Sequence, residues 1–293
     1  MSARQVMSLP VLPDSLLADF LADDVRLGDL TTHLLGIGPQ PALMTFAARE
    51  PLVVAGAEEA ARIVEMTGAS VDLHAPSGTA LAGGEAILAA SGPAAALHRS
   101  WKVAQTLVEI ASGIATSARR VVEAARSVRP DVAVACTRKT VPGAKLLSIK
   151  AIMAGGATPH RLGLSETILV FEEHRCFLAN TSPSQIVERL RRGGPEKKIV
   201  IEVATPAAAL QWAKAGADVI QAEKFSPADI AVAVADFRHA GIPALLAAAG
   251  GVTAENAAAY AQAGADILVT SAPYSAKPRD VQVKLAPCDD RRP

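Results

Sequence analysis

Residues 136–143 combine chemical groups that could bind an anion. They read Cys-Thr-Arg-Lys-Thr-Val-Pro-Gly and follow the apolar run 132–135, which predicts a buried strand of a parallel sheet. The Pro-Gly pair predicts a loop after that strand. Because ligands of α/β folds bind at the carboxyl ends of the strands, Thr137, Arg138 and Lys139 predict a receptor for a carboxylate or a phosphate. The alternative is a basic loop that is merely solvated.

Polar or side-chainless residues also follow the later predicted strands. Glu202 and Glu223 end two of them, and they predict a Mg²⁺ site because that ion takes few protein carboxylates and completes its shell with phosphate and water. Gly250 and Gly251 precede a helix and could let backbone N–H groups approach a phosphate. Ser271 follows the last strand. Each feature alone also suits a tight turn or a solvated side chain. Together they predict a site for a Mg²⁺-chelated sugar phosphate and a second anion.

The composition argues against several classes of protein. The chain has 293 residues, a formal net charge of zero and only 3% aromatic residues, so it offers neither a basic field nor a base-stacking surface for nucleic acid. Cys136, Cys176 and Cys288 form no CxxC pair and no metal-ligand spacing, which predicts a reduced, cytoplasmic location. The first residues do not resemble a signal peptide, and no run approaches the roughly 18 apolar residues of a membrane span.

The pattern of apolar residues changes near residue 112 and divides the chain there. In the first part this pattern predicts a small α+β unit. Helices are expected over 14–24, with Asp14 as the N-cap, over 57–67 and over 94–111. Strand-like segments surround the middle helix. They are 44–48, 52–55, 71–74 and 86–89.

The second part alternates strands with helices. The predicted strands are 132–135, 167–170, 199–203, 219–222, 244–248 and 267–270. The predicted helices include 184–191, 206–215, 227–239 and 254–263. The tetrapeptide Ala-Gly-Ala-Asp occurs at 215–218 and again at 263–266, with its glycine expected just past a helix end in the left-handed conformation. This repeat predicts a closed (β/α) barrel of about six strands rather than an open sheet.

Several motifs, taken together, resemble a known family. They are Arg-Leu-Gly-Asp-Leu-Thr-Thr at 26–32, Ser-Gly-Ile-Ala-Thr at 112–116, the segment 136–143, Gly-Gly at 155–156 leading to His160 and Arg161, and Gly-Gly at 250–251. In this order they are similar to nicotinate-nucleotide pyrophosphorylase, also called quinolinate phosphoribosyltransferase, over residues 14 to 285. Segments 163–170, 173–175 and 270–274 resemble its ModD-like branch, which is associated with molybdenum transport.

The resemblance implies an architecture and an assembly. A sandwich-like α+β domain over 1–111 would precede an α/β barrel with the active site over 112–275. A C-terminal tail over 276–293 would return to the N-terminal domain. The chain would form a homodimer or a larger oligomer in which one subunit's N-terminal domain closes the other subunit's active site.

The resemblance also implies a reaction. A ring nitrogen of a heteroaromatic acid would attack C1 of phosphoribosyl pyrophosphate, pyrophosphate would leave, and the transition state would be similar to an oxocarbenium ion. Arg138, His160 and Arg161 would bind the carboxylates of the acid, with Thr137 beside them, and Lys139 would lie between the acid and the sugar phosphate. A structural role is the alternative for His160.

The phosphoribosyl side is implied by the same motifs. Glu202 and Glu223 would hold Mg²⁺ and the ribose pyrophosphate, with Glu223 where the family more often has Asp. Together with Lys139 they are the expected catalytic residues. Gly250, Gly251 and Ser271 would bind the 5′-phosphate.

The chain departs from the family at substrate-binding positions. Phe171 stands where the family has a lysine that neutralises a diacid. Lys102, after Trp101, stands where an arginine reaches across the dimer, so the charge remains but the bidentate fork is lost. Residues 247–249 read Ala-Ala-Ala in place of Glu-Ala-Ser. These departures predict weaker binding of quinolinate and a largely retained phosphoribosyl site.

Two other classes of function remain open at this point. A Schiff-base aldolase would also use a lysine at a barrel rim, with Lys139 as the candidate; borohydride trapping with a carbonyl substrate would reveal it. A non-catalytic ligand sensor or partner subunit in molybdate handling would bind phosphoribosyl pyrophosphate without releasing pyrophosphate.

Overall fold

The computed structural model describes residues 8–288. Residues 1–7 and 289–293, which the sequence assigned to the N-terminal domain and the C-terminal tail, lie outside the described residues. The chain forms two compact units. The first contains the chain up to Arg119, the segment Val141–Gly156 and the chain from Ser275 onward; the second contains Arg120–Thr140 and Ala157–Tyr274. The segment Val141–Gly156 therefore groups with the first unit, although the sequence placed it within the barrel range.

The helices and strands alternate along most of the chain. The helices are α1 (Asp14–Val25), α2 (Leu30–Leu35), α3 (Ala57–Met66), α4 (Ala94–Arg126), α5 (Lys145–Ala154), α6 (Glu172–Arg175), α7 (Pro183–Gly193), α8 (Pro206–Lys214), α9 (Pro227–His239) and α10 (Ala257–Gln262). The strands are β1 (Pro41–Ala48), β2 (Leu52–Val53), β3 (Ser70–Leu73), β4 (Ala80–Leu81), β5 (Ala86–Pro93), β6 (Ala133–Cys136), β7 (Thr158–Pro159), β8 (Ile168–Val170), β9 (Ile199–Val203), β10 (Val219–Glu223), β11 (Leu245–Ala249), β12 (Ile267–Thr270) and β13 (Val281–Pro287).

The first unit is built on an antiparallel sheet in the order β13-β1-β5-β3. Side chains of β1 alternate between exposed and buried, and Met44 and Phe46 are fully buried, as expected for a sheet with one face on a core. The chain from Val281 to Pro287 pairs with β1 along its length. The last described strand thus lies in the sheet of the first unit.

The second unit is built on a parallel sheet of seven strands in the order β7-β6-β12-β11-β10-β9-β8. Its strands are short apolar runs that are buried on both faces, such as β9 and β10, and helices connect them. The mixed α/β class is confirmed. The expected barrel-type parallel sheet is confirmed in the form of a half-barrel. It has seven strands rather than about six, because β7 adds one, and it is not closed as expected, since no pairing among residues 8–288 joins β7 to β8.

The repeated Ala-Gly-Ala-Asp segments have the same structure. Gly216 has φ +96° and Gly264 has φ +103°, as expected for glycine just after a helix. The carboxylate Oδ2 of Asp218 accepts a hydrogen bond from the N–H of Ile199, and that of Asp266 accepts one from the N–H of Leu246. Each aspartate therefore ties the start of its own strand to the start of the preceding strand.

Two local expectations were corrected. Asp14 is the first residue of α1 and not its N-cap, because Pro13 occupies the cap position with extended backbone angles. The Asp14 carboxylate instead forms an ion pair with Arg62, 2.8 Å from Nη2 to Oδ2. The helix expected over 94–111 continues to Arg126 as α4. None of the helices described is long and apolar enough to cross a membrane.

Candidate active site

A cavity of about 580 Å³ opens at the carboxyl ends of the strands of the second unit. It brings together eleven of the twelve residues that the sequence predicted for the site. These are Thr137, Arg138, Lys139, His160, Arg161, Phe171, Glu202, Glu223, Gly250, Gly251 and Ser271. The twelfth, Lys102, is not among the lining residues. It lies on an exposed part of α4 in the first unit, with its Nζ 3.0 Å from Gln105 Oε1 and 4.7 Å from the centroid of the Trp101 ring.

One group of lining residues is cationic. Arg161 has only 8% of its surface exposed, and burial together with the nearby charge of Arg138 lowers the pKa of its guanidinium. Burial and the charge of Arg161 lower the pKa of the His160 imidazole. Two arginines that lie close together repel each other, and a bound anion would neutralise this repulsion. This part of the cavity therefore suits a carboxylate or a phosphate.

The loop that carries Lys139 is held by the sheet. The N–H of Thr137 donates to the carbonyl of Thr270, 2.9 Å away, which joins the end of β6 to the end of β12. Thr137 Oγ1 in turn accepts the N–H of Lys139 at 3.3 Å. The Thr270 hydroxyl donates to the carbonyl of Val252 at 2.6 Å. These bonds fix the backbone just before Lys139 and just before Ser271, and they tie it to Val252 after the glycine turn.

Phe171 brings an apolar surface to the cationic part of the cavity. The guanidinium carbon of Arg161 lies 5.8 Å from the centroid of its ring, within the range of a cation–π contact. The His174 ring stacks on it with a centroid separation of 5.7 Å and an interplanar angle of 17°. The N–H of Phe171 donates to Nδ1 of His174 at 3.0 Å, which fixes both rings at the start of α6.

Carboxylates gather on another part of the cavity. Glu173, Glu202 and Glu223 all line it. Burial raises the pKa of Glu202, and the negative charges of Glu223 and Glu173 raise it further, whereas a hydrogen bond from Gln221 opposes the rise. The backbone carbonyl of Glu202 accepts a 2.6 Å hydrogen bond from Nη1 of Arg175. Gln221 therefore holds the carboxylate of Glu202, Arg175 holds its backbone, and two further carboxylates lie close to it.

This donor set fits Mg²⁺. Several carboxylate oxygens face one cavity, and their mutual repulsion favours binding of a cation. Across the described part of the chain there is no group of three or more His, Cys, Asp or Glu side chains arranged to hold a metal ion by itself. A site completed by one or two protein carboxylates and by phosphates of a substrate is the arrangement that Mg²⁺ commonly uses.

Gly250 and Gly251 allow a close approach of backbone and side chains. Their φ angles are +82° and +98°. A Cβ at Gly250 would lie 2.6 Å from Glu223 Oε1 and 2.8 Å from the Cγ of Lys224. Lys224 is itself the one non-glycine residue between 8 and 288 with a positive φ, +59°. The turn after β10 and the turn after β11 are thus packed so closely that a Cβ at Gly250 would displace the side chains of Glu223 and Lys224.

Comparisons with known proteins identify the family. Residues 29–112 match the N-terminal domain of quinolinate phosphoribosyl transferase, and residues 114–284 match its C-terminal domain. The chain belongs to the quinolinate phosphoribosyl transferase family. It is 46% identical over 258 residues to a Rhodobacter capsulatus protein named as the pyrophosphorylase ModD, covering 87% of this chain and 98% of that one. It is 38% identical over 269 residues to ModD of Escherichia coli O157:H7, covering 91% and 94%.

More distant members share the fold. A carboxylating nicotinate-nucleotide pyrophosphorylase, as it is named, from Methanothermobacter thermautotrophicus is 28% identical over 277 residues, covering 92% of this chain and 98% of that one. The crystal structure of NadC from Streptococcus pyogenes superposes with a TM-score of 0.88 at 25% identity, covering 96% of this chain and 100% of that one. The resemblance of this chain to the quinolinate phosphoribosyl transferase family and its ModD-like branch is confirmed.

Sequence reasoning missed two polar residues that line the cavity in this family member. Gln221 stands two residues before Glu223 on β10, so both side chains point to the same face of the sheet. A polar residue in an otherwise apolar strand was the available signal. Glu173 follows the short strand β8 by three residues and was noted only as part of the resemblance.

Proposed function

We propose that this protein transfers the phosphoribosyl group of phosphoribosyl pyrophosphate to the ring nitrogen of a heteroaromatic acid, with release of pyrophosphate. The observation that supports this most is one cavity of the second unit, which is lined by arginines, a lysine, carboxylates and a Gly-Gly turn. Two anionic substrates need cationic side chains that neutralise their charges, and the Mg²⁺ ion bound to pyrophosphate needs carboxylate ligands. Both sets of groups line one cavity in a member of the quinolinate phosphoribosyl transferase family.

The residues of the cavity would act mainly by binding and orientation. Arg138 and Arg161 would bind the carboxylate of the acid and present its ring nitrogen, and Lys139 would neutralise charge between the two substrates. Neutral His160 can accept or donate a hydrogen bond there without adding a third positive charge. Positioning two reactants and stabilising the departing negative charge are the two main contributions that such a substitution requires.

Mg²⁺ would be held by Glu202 and Glu223. Bound there with pyrophosphate, it would neutralise the negative charge of the leaving group. The phosphate-binding role of Gly250, Gly251 and Ser271 is part of the same proposal, since glycines with positive φ leave backbone N–H groups accessible to an anion.

The accepted acid is proposed to carry one carboxylate. Phe171 covers the site beside Arg161 with an apolar ring, so part of the wall offers no partner to a second carboxylate. A buried carboxylate without a partner is strongly disfavoured. Rings with one acidic group, or with less charge than quinolinate, fit this arrangement best.

The test is pyrophosphate release from phosphoribosyl pyrophosphate and Mg²⁺ over a panel of pyridine and other heteroaromatic acids. We expect release that depends on the acid, and a decrease of at least roughly a hundredfold in Lys139→Met. Lys214→Met, which removes an exposed lysine at the end of α8, is the matched control and should retain full activity. Binding without release for every acid would contradict the transferase and support the non-catalytic sensor.

The metal assignment has its own test. Glu202→Ala and Glu223→Ala, made separately, should each weaken Mg²⁺-dependent binding of phosphoribosyl pyrophosphate in calorimetry while the protein stays folded. Glu188→Ala is the control, because 70% of that side chain is exposed on α7. Unchanged affinity in both cavity variants would exclude these two carboxylates as magnesium ligands.

The proposal extends to the assembly of the protein and to its cellular setting. A homodimer, or a larger homo-oligomer, would place the half-buried Trp101 and the exposed Lys102 of α4 near a partner's cavity. Light scattering at micromolar concentration tests this, and a fully active monomer would contradict it. Three free thiols, two of them exposed, support a cytoplasmic location. The likeness to ModD supports a role associated with molybdenum transport.

A further inference from the structure

Gln221 is a buried polar residue that lines the candidate active site. Only 5% of its surface is exposed. Its position in the sheet is opposite Glu202 on β9 and Ala247 on β11. Its side chain therefore starts from the middle of the sheet and ends at the cavity, beside Glu202 and on the same face as Glu223.

The two ends of the Gln221 amide have different surroundings. Nε2 donates a 2.7 Å hydrogen bond to Oε2 of Glu202. This contact matches the ionised form of Glu202, because an ionised carboxylate only accepts hydrogen bonds and the NH₂ group of the amide donates them. Oε1 is buried, and no donor within residues 8–288 reaches it. Buried polar atoms in folded proteins nearly always have a partner, so this acceptor calls for a physical explanation.

The protein's own groups do not supply that explanation. Arg175 is bound to the neighbouring strand β9, where it donates to the backbone carbonyl of Glu202, and its guanidinium carbon lies 5.6 Å from the ring centroid of Trp212. Ala247, the neighbour of Gln221 on the other side, has no polar side chain. Because Gln221 lines the cavity, a molecule bound there can supply the donor that Oε1 lacks.

We propose that Oε1 of Gln221 accepts a hydrogen bond from a hydroxyl group of a bound pentose, while Nε2 holds the Glu202 carboxylate in position. This assignment rests on the proposed function for the identity of the sugar. Phosphate and carboxylate oxygens accept hydrogen bonds at neutral pH, whereas the hydroxyls of the sugar donate them. Gln221 is then a residue that recognises the sugar and distinguishes ribose from a deoxyribose.

The experiment measures discrimination between sugars rather than affinity alone. Ribose 5-phosphate, 2-deoxyribose 5-phosphate and 3-deoxyribose 5-phosphate are titrated by calorimetry, with Mg²⁺, into the wild type, Gln221→Met and Gln221→Leu. Methionine matches the length of glutamine without hydrogen-bonding groups, and leucine offers a second shape should one variant fail to fold. Gln211→Met is the matched control, since Gln211 is exposed on α8 and lies outside the cavity.

The wild type should bind ribose 5-phosphate roughly tenfold to a hundredfold more tightly than one of the two deoxy sugars, because that sugar leaves Oε1 unpaired. Gln221→Met and Gln221→Leu should lose most of this ratio, and Gln211→Met should keep it. If Gln221 had only a structural role, its substitution would weaken binding of all three sugars equally and leave the ratio of their affinities unchanged.

Three results would overturn the proposal. They are an unchanged ratio in both Gln221 variants, no preference for ribose in the wild type, and a variant effect confined to the apparent affinity for Mg²⁺, which would make Oε1 a metal ligand. Pyrophosphate release by the wild type is measured alongside. Discrimination by Gln221 without release would retain this proposal and reject the transferase, whereas release without discrimination would do the reverse.

Discussion

The guanidinium carbon of Arg161 lies 5.8 Å from the centroid of the Phe171 ring. The ring thus covers one side of a cation that is almost fully buried. The phenyl ring itself offers no hydrogen bond and no charge to a second carboxylate at this place. The pair gives a structural basis for choosing between acids with one carboxylate and acids with two.

Replacing this ring with a lysine should shift the preference toward a diacid. In Phe171→Lys combined with Lys102→Arg, kcat/KM for quinolinate should rise roughly tenfold or more over the wild type, because a charge-assisted hydrogen bond replaces an unpaired carboxylate. Phe171→Lys alone should give most of the gain, since Lys102 is not among the lining residues. The measurement compares quinolinate with a ring that has one carboxylate.

Phe177→Lys is the control for this exchange. Phe177 is 87% exposed, so the same substitution adds the same charge to the second unit outside the cavity. Its kinetics should match those of the wild type. If the wild type already processes quinolinate as well as the double variant, Phe171 does not limit the choice of acid.

Gly250→Ala should disrupt the site more than it disrupts the fold. The new Cβ would meet Glu223 Oε1 at 2.6 Å and displace that carboxylate, so pyrophosphate release and Mg²⁺-dependent binding of phosphoribosyl pyrophosphate should both fall at least roughly tenfold. Gly241→Ala is matched to it, because Gly241 also has a positive φ, +64°, but nothing lies within 4 Å of the added carbon. Both variants should lose about 1 kcal/mol of stability from the backbone alone.

Comparing the two alanine variants separates the effect of the steric clash with Glu223 from the effect of the backbone strain at a positive φ. Activity that falls equally in Gly250→Ala and Gly241→Ala would assign the loss to strain. Activity that is retained in Gly250→Ala would mean that Glu223 can move without consequence, and its place in the site would have to be abandoned.

Much of the second unit could be predicted from its sequence because its elements are locally encoded. Short apolar runs predicted six of the seven strands to within about two residues, and Ser or Thr followed by Pro marks the starts of α7, α8 and α9. The prediction that the polar residues at the strand ends form one site then followed, because the carboxyl ends of parallel strands meet at one edge of the sheet. That is why eleven of the twelve predicted site residues share one cavity.

The parts that could not be predicted depend on distant or very short pairings. β7 has only two residues, one of them a proline, and no periodicity distinguishes it from a loop. The sheet stays open because β7 and β8 do not pair with each other, and no local sequence pattern encodes the placement of these two edge strands. The local sequence shows Gln221 only as a polar residue that follows two apolar ones, and its importance depends on its register with Glu202.

The stability of the protein should depend on the charge of His160. Burial and the charge of Arg161 lower the pKa of this imidazole below its ordinary value of about 6.5. As the pH falls below 6.5, the unfolded chain therefore binds a proton that the folded protein does not yet bind. The free energy of unfolding falls over that window, by at most about 1.4 kcal/mol per pH unit, until the folded imidazole is protonated as well.

Urea unfolding of the wild type and His160→Gln between pH 7.5 and pH 5 measures this contribution. The variant should lose less stability on acidification, because glutamine does not titrate. Arg161→Met should in addition raise the pKa of His160. This pKa is measured by NMR titration, and the His160 resonance is assigned as the one that is lost in His160→Gln. Equal pH dependence of wild type and His160→Gln would show that burial of this imidazole is not coupled to folding.

The first unit depends on a buried ion pair that lies outside the candidate site. Lys150 on α5 has only 3% of its surface exposed, and its Nζ lies 2.7 Å from Glu59 Oε1 and 3.0 Å from Glu58 Oε2. Glu59 is also 3% exposed, so it has almost no access to water. Removing one partner of such a pair leaves a buried charge uncompensated, which costs about 3–5 kcal/mol.

Lys150→Met should therefore lower the free energy of unfolding by about 3–5 kcal/mol, measured by urea denaturation with fluorescence detection. Lys150→Met combined with Glu59→Leu should recover most of that loss, because no unpaired charge remains inside the core and similar volume is filled. Arg62→Met removes the cation of the exposed pair with Asp14 in the same unit and should have a much smaller effect. If the double variant is no more stable than Lys150→Met, the loss comes from packing around α5 and not from the isolated carboxylate of Glu59.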